Sequence, residues 1–310
     1  MVLVLSCKLS ALTITQKDRA SSMRHIKSLR EITKAYDGFI LDLWGLVHDG
    51  ETPYPPAKST LAALKAAGLK TLLLSNAPRR AHVLVEAMAR MGIERSLYGE
   101  VLSSGEATRD ALIARDDSFF ASLGHRVYHL GPERDRSVFE DTNLNIVANL
   151  GIADFILCTG PIELTDQVAD YQSVLDAGLT YRLPMVCANP DLLVIRGGKA
   201  VICAGAIAER YRSMGGLVAY RGKPDPAIYH LAARLLGVSN PRRIAGVGDA
   251  LETDIKGANA AGFDSIWCTG GIHAAELGCA YGVAVDPLRA ETLAQASGQL
   301  PTATIPGFIY

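Results

Sequence analysis

Four short stretches carry residues whose types could do chemistry, and each follows an apolar run. In GFILDLWGLVHDG, Asp42 sits inside an apolar segment, where an unpaired carboxylate is costly to bury. It is either the partner of a buried cation or a carboxylate nucleophile or metal ligand. In LLLSNAP, Ser75 and Asn76 stand at a turn, where a hydroxyl, an amide and nearby N–H groups can hold an anion. Ser75 alone also reads as an ordinary helix cap. In YRGKPDPAIYH, Lys223 lies between Gly222 and Pro224. A lysine fixed in such a turn suits neutralisation of a phosphoryl group, although an exposed turn lysine looks the same in sequence. In GVGDALETD, Asp249 and Asp254 offer two carboxylates at a candidate helix start, a donor set that suits Mg²⁺. Helix-start acids that complement the dipole are the alternative. The GxG of this stretch is not a dinucleotide fingerprint, because Leu251 stands where the third glycine is needed.

The elements that must position these residues alternate. Buried strands are expected at 39–44, 69–76, 100–104, 126–131, 154–160, 183–189, 244–249 and 264–270. Helices are expected after PYPP up to Gly68, near 79–91, and near 105–115, 163–177, 203–214, 226–236 and 254–261. Short apolar strands alternating with helices imply an α/β fold around a parallel sheet. Ligands of such sheets gather at the carboxyl ends of the strands, so the four stretches can converge on one site. There is no internal repeat, no low-complexity tract and no Gly/Ser linker that marks a boundary.

Taken in the order Asp42, Ser75, Lys223, Asp249, the four stretches resemble the haloacid dehalogenase-like hydrolase superfamily, and within it the class IIA phosphatases. GKPDPAIY and GDALETDIKGANAAGFDSIWCTGG are close to that family's carboxyl-terminal core pattern. ANPD followed by GGKAVICAGAIAE is similar to its cap-to-core return segment. The resemblance runs from about residue 36 to 273 and is strongest in the last third. It implies a Rossmann-like parallel-sheet core in two pieces, 23–82 and 213–310, with an inserted α/β cap at 83–212. It further implies that Asp42 attacks phosphorus and forms an aspartyl-phosphate, while Ser75 and Lys223 hold the phosphoryl oxygens. Mg²⁺ would be held by Asp42, the backbone carbonyl of Trp44, Asp249 and Asp254. The substrate would be a small phosphorylated metabolite, a sugar phosphate or nucleotide, and dimers through the caps are common in the class.

One departure bears on the chemistry. The family motif is Asp-x-Asp, whereas this chain reads Asp42-Leu43-Trp44. The second Asp normally moves protons to the leaving oxygen and from water, and an indole is a donor only. General acid–base catalysis of that kind is worth roughly 10²–10⁴-fold. Three explanations stay open: His48 or Asp49 takes over the proton transfers, the leaving group is a good one such as an acyl or aryl phosphate, or the protein binds a phospho-ligand without efficient turnover. Carbon–halogen hydrolysis by the same nucleophile is disfavoured, since it has no use for the Asp249/Asp254 pair.

The remaining features are plainer. The 310 residues are 49% hydrophobic and 20% charged, with 31 Lys plus Arg against 32 Asp plus Glu. That supports a sizeable core and excludes a dedicated polybasic binder of nucleic acid or membrane. No apolar run reaches about 18 residues, so no transmembrane helix is expected. Six scattered cysteines (Cys7, Cys158, Cys187, Cys203, Cys268, Cys279) without a CxxC pair read as free thiols of a cytoplasmic protein. Residues 1–22 are expected to be a flexible extension. Arg79 and Arg80 beside the Ser75 turn could attract a phosphate, and Asn189 and Asp191 could form a hinge or substrate edge. His125 and His129 lack metal-ligand geometry, and Phe263 and Trp267 are expected in the core.

Overall fold

The computed structural model describes residues 23–310. The expected extension at 1–22, and Cys7 with it, lie outside the described residues. The described residues build two parallel sheets and one hairpin. Its strands are β1 (Arg24–His25), β2 (Gly38–Leu41), β3 (Lys70–Ser75), β4 (Glu100–Ser103), β5 (Arg126–Leu130), β6 (Asn145–Ile146) and β7 (Phe155–Cys158), followed by β8 (Met185–Cys187), β9 (Leu193–Arg196), β10 (Lys199–Ile202), β11 (Val218–Tyr220), β12 (Ile244–Gly248), β13 (Asp264–Cys268) and β14 (Ala303–Ile305).

The first sheet has seven strands in the order β1-β14-β13-β12-β2-β3-β4, all parallel. Both of its faces are covered, so its inner strands are apolar without alternation. Phe39, Leu41, Leu73 and Val247 pack on one face with the helices Ala57–Ala66 and Ala81–Arg90. Ile40, Leu72, Leu74 and Ile244 pack on the other with the helix Pro226–Leu236. The chain proceeds from β2 to β3 on one side, while β12 and β13 build outward on the other. The strand order therefore reverses between β2 and β12, and such a switch point opens a crevice at the strand ends.

The second sheet, in the order β11-β8-β7-β5-β6, is also parallel throughout. It is sandwiched between a cluster around Leu175, Ile207 and Tyr211 and one around Leu112, Phe120 and Val138. β9 and β10 form a separate antiparallel hairpin with Gly197 and Gly198 at its tip, both at positive φ.

Strand pairing bears on both edges of the expected insert at 83–212. β4 pairs with β3 in register Ser75↔Ser103, so it completes the seven-stranded sheet. The helix before it buries Leu84 and Met88 against the same core. β11 pairs with β8 and belongs to the second sheet. By pairing, the insert runs from about 104 to 220. The physical reason is burial: the apolar stripe of the helix Ala81–Arg90 has its complement in the first sheet, not in the second.

Phe263 and Trp267 are buried, as expected. Cys158, Cys187, Cys203 and Cys268 are buried free thiols, and Cys279 is half-buried. No helix among the described residues is long and apolar enough to cross a membrane.

Candidate active site

Asp42 follows β2 and Asp249 follows β12, the two strands that flank the switch point. The pairing Leu41↔Val247 and the bond from Asp42 N–H to the Val247 carbonyl (2.9 Å) bring the two carboxylates side by side. Asp254 comes from a wide helical turn at Leu251–Ile255, a π-type turn of the kind that often re-aims a side chain at a functional site. The Tyr229 hydroxyl donates to its carbonyl at 2.9 Å and pins that turn. One oxygen from each of Asp42, Asp249 and Asp254 lies within 4.8 Å of the others.

Lys223 Nζ reaches this group from the segment before the helix Pro226–Leu236. It bonds Oδ1 of Asp42 and Oδ1 of Asp254, each at 2.7 Å. All four residues are buried, at 6%, 4%, 5% and 3% exposure for Asp42, Asp249, Asp254 and Lys223. Three carboxylates thus face one ammonium in a buried site. Burial, and then the Asp254 charge, push the Asp42 carboxyl up to about 7 despite Lys223. Burial, with Asp42 and Asp254, pushes Asp249 well above the usual carboxylate range. Burial works against a charged Lys223, yet the flanking carboxylates outweigh it and hold the ammonium protonated.

This excess of negative charge is the feature that fits a divalent cation, because buried charges are stable only when paired or bound to metal. Three hard oxygen donors within 4.8 Å of one another suit a hard divalent cation. Two glycines keep the space open. A Cβ on Gly45 (φ +84°) would lie 1.9 Å from Asp249 Oδ2, and one on Gly271 would lie 2.2 Å from it. Asp249 Oδ2 also accepts from the Ile272 N–H at 2.6 Å.

Ser75 ends β3 with its Oγ accepting from the Ala77 N–H at 3.2 Å. Its side chain lines both the small cavity over Asp42 and a larger neighbouring one. Asn76 is differently engaged. Its Oδ1 accepts from the Lys223 N–H (2.8 Å), and its Nδ2 donates to the Lys223 carbonyl (3.1 Å) and to Asp191 Oδ1 (2.8 Å). The side chain is a bracket that sets the position of Lys223.

Trp44 lines both cavities. Its indole N–H donates to the Ile195 carbonyl at 2.9 Å, joining the segment after Asp42 to the β9–β10 hairpin. The ring lies against Gly50, whose Cβ would come within 2.2 Å of it. His48 is buried beside Trp44, with ring centroids 5.6 Å apart. Its Nδ1 accepts from the Gly50 N–H at 3.0 Å, so the ring proton sits on Nε2. Burial holds its pKa down to about 4, hence the ring is neutral near pH 7. Asp49 loses some carboxylate stability to partial burial, but N–H groups of Thr52 and Glu51 outweigh that and hold it ionised.

Arg79 lines the larger cavity and meets Asp135 at 3.4 Å, and Arg80 turns away to Glu106, Glu140 and Asp141. Asn189 faces the larger cavity and accepts the Asp191 N–H at 3.0 Å. His125 is bonded to the Asn143 carbonyl, and His129 to the hydroxyl of Thr159, which lines the larger cavity. Sequence reasoning missed Gly45, Gly271, Tyr229, Asp135 and Ile195. The Gly197-Gly198 pair between the short runs LVIR and KAVI was the one available signal for the hairpin that carries Ile195.

The haloacid dehalogenase-like hydrolase pattern matches residues 39–145, and a second pattern, HAD-hydrolase-like, matches residues 220–296. A solved hydrolase of the haloacid dehalogenase-like family from Brucella suis 1330 is 32% identical, with TM-score 0.78 over 92% of this chain and all of that one. An acid sugar phosphatase of Staphylococcus aureus (strain USA300) is 27% identical over 247 residues, 78% of this chain and 90% of that protein. A 4-nitrophenylphosphatase from Thermotoga maritima shares the fold at 22% identity, with TM-score 0.65 over 89% of this chain and 96% of that one. The matched segments contain Asp42, Ser75, Lys223, Asp249 and Asp254, the residues that meet at the switch point, and the chain belongs to the haloacid dehalogenase-like hydrolases.

Proposed function

We propose that this hydrolase is a Mg²⁺-dependent phosphatase that acts on a small phosphorylated metabolite through an aspartyl-phosphate on Asp42. The observation that carries this reading is the buried set of three carboxylates around Lys223 at the sheet's switch point. Asp42, Asp249 and Asp254, with the main-chain carbonyl of Trp44, would hold the ion, which when bound neutralises charge on both the carboxylates and the phosphoryl group.

The remaining chemistry is assigned to the chain's own residues. Ser75 Oγ and Lys223 Nζ bind phosphoryl oxygens, and Asn76 keeps Lys223 in place. A carboxylate oxygen of Asp42 attacks phosphorus as the ester P–O bond breaks, and the leaving oxygen departs with the electron pair. Water then attacks the same phosphorus and releases Asp42 and inorganic phosphate. Arg79 and Asn189, on the neighbouring cavity, meet the leaving group rather than the transferred phosphoryl. His48, neutral and with its proton on Nε2, serves as a hydrogen-bond donor rather than as a proton shuttle.

Trp44 favours a second reading, a protein that binds a phosphorylated ligand with little turnover. The test is Mg²⁺-dependent phosphate release from acetyl phosphate, 4-nitrophenyl phosphate, sugar phosphates and nucleotides, with Asp42→Asn as the blank. Release above the blank supports the phosphatase. No release, together with a melting temperature raised by Mg²⁺ and a phosphate mimic, replaces it with the binding protein.

A further inference from the structure

Trp44 leaves the proton transfers without an evident owner, because its one donor, the indole N–H, is taken by the Ile195 carbonyl. A proton for the leaving oxygen must come from a group that borders both the cavity over Asp42 and the larger one beside it, since the scissile P–O bond would span the two. Trp44, Ser75, Asp191 and Val194 border both. Asp191 supplies the one carboxyl group among them.

Its place is fixed from several sides. The Asp191 N–H donates to Asn189 Oδ1 at 3.0 Å. A Cβ on Gly205 would lie 2.5 Å from the Asp191 carbonyl oxygen, so this segment is packed closely on the helix Ala204–Ser213. Oδ1 of Asp191 accepts from Asn76 Nδ2 at 2.8 Å, whereas Oδ2 accepts no hydrogen bond from the described residues. Lys223, Asp254 and Asp42 face it across the site, and the neutral thiols of Cys187 and Cys203 face it from the insert. Burial raises its pKa above the ordinary carboxylate value; Lys223 and the Asn76 amide oppose the rise, and Asp254 adds to it.

The rival groups are worse placed. His48 borders the larger cavity but not the one over Asp42, and its Nδ1 already takes the Gly50 N–H. Asp135 also borders only the larger one, where it meets Arg79 at 3.4 Å. Asp49 borders only the cavity over Asp42, and the N–H groups of Thr52 and Glu51 hold it ionised. We infer that Asp191, reaching in from the insert, is the general acid and base of the reaction. The inference deepens the phosphatase reading above and rests on it. In the first step the Asp42 O–P bond forms and the ester P–O bond breaks. The electron pair stays on the leaving oxygen, which takes the proton from Asp191 Oδ2 and departs as an alcohol. In the second step the Asp191 carboxylate takes a proton from water as the water oxygen attacks phosphorus, and the pair of the breaking P–O bond returns to Asp42.

The test uses leaving groups that do and do not need a proton. Acetyl phosphate releases acetate without one. Phenyl phosphate, glucose 6-phosphate and AMP are the esters that need one. The kcat/KM values report only the steps up to the aspartyl-phosphate, so the attack of water does not enter them. In Asp191→Asn the ratio of ester to acetyl phosphate kcat/KM should fall about 10²–10⁴-fold, and Asp191→Glu, which keeps the proton, should recover at least about ten-fold of it. A second measurement needs no variant. Phenyl and 4-nitrophenyl phosphate share a ring, and protonation of the leaving oxygen should hold their wild-type kcat/KM values within about ten-fold of each other. Equal losses on ester and acetyl phosphate, in a variant that melts like the wild type, make Asp191 only a prop for Asn76 and Lys223 and overturn the inference. A wild-type preference for 4-nitrophenyl over phenyl phosphate of about a hundred-fold or more overturns it too, as does turnover confined to acetyl phosphate; each leaves the phosphatase reading standing. Failure to hydrolyse acetyl phosphate overturns both.

Discussion

The indole N–H of Trp44 donates to the carbonyl of Ile195 at 2.9 Å, so the residue two places after Asp42 is tied to the hairpin of the insert. Where the resemblance leads one to expect a proton-moving carboxylate, this chain has a strut between its first sheet and β9. Trp44→Phe keeps the ring and removes the strut. It should cost about 1 kcal/mol, the net worth of one hydrogen bond. It should also speed amide exchange across β9 and β10, measured by mass spectrometry, while exchange in β2 and β12 stays unchanged.

Asp42→Asn preserves shape and removes the nucleophile. Turnover should fall by about 10⁴-fold or more, the scale seen when a nucleophile is deleted. The melting temperature in the absence of Mg²⁺ should rise, because one of three crowded carboxylates is gone.

The folded Asp42 carboxyl has a pKa near 7, above its ordinary value of 3.8. Between those values the folded chain holds more protons than the unfolded one, so its stability falls as pH rises. His48, lowered from 6.5 to about 4, acts in the opposite sense. Its stabilising effect is present above pH 6.5 and is lost as pH falls towards 4. Mg²⁺ competes with protons for the carboxylates. The rise in melting temperature caused by Mg²⁺ should therefore be larger at pH 8 than at pH 5, and Asp249→Asn should abolish most of the difference.

Gly45 is at φ +84°, and a Cβ there would lie 1.9 Å from Asp249 Oδ2. Gly45→Ala must displace that carboxylate. Mg²⁺ affinity, followed by thermal shift, should weaken about ten-fold or more, the scale set by residues that orient ligands.

Lys223 bridges Asp42 and Asp254 while buried. Removing one partner of a buried ion pair typically costs about 3–5 kcal/mol. Lys223→Gln should show a loss of that order in metal-free urea unfolding at pH 8, and a smaller one at pH 5, where Asp42 is protonated.

The site was more legible in the sequence than the domain limits were. Asp42, Lys223, Asp249 and Asp254 stood out because charged residues at the ends of apolar strands demand partners, and the structure gives them to one another. The roles of Asn76 and Trp44 were not legible, since both depend on residues more than a hundred positions away, Lys223 and Ile195. The edge near 83 was not legible because the stripe Leu84–Met88 looks the same whichever sheet it covers. β14 escaped notice because ATI is too short to show a period, although it pairs with β13 and is fully buried.

The central claim is that Asp42 takes the phosphoryl group. Acid quenching after milliseconds with ³²P-labelled acetyl phosphate and Mg²⁺ tests it most directly, followed by peptide mapping and hydroxylamine treatment. The account predicts a hydroxylamine-labile label on the peptide that contains Asp42, absent from Asp42→Asn. Phosphate release at full rate with no label on that peptide, or undiminished release by Asp42→Asn, would contradict it.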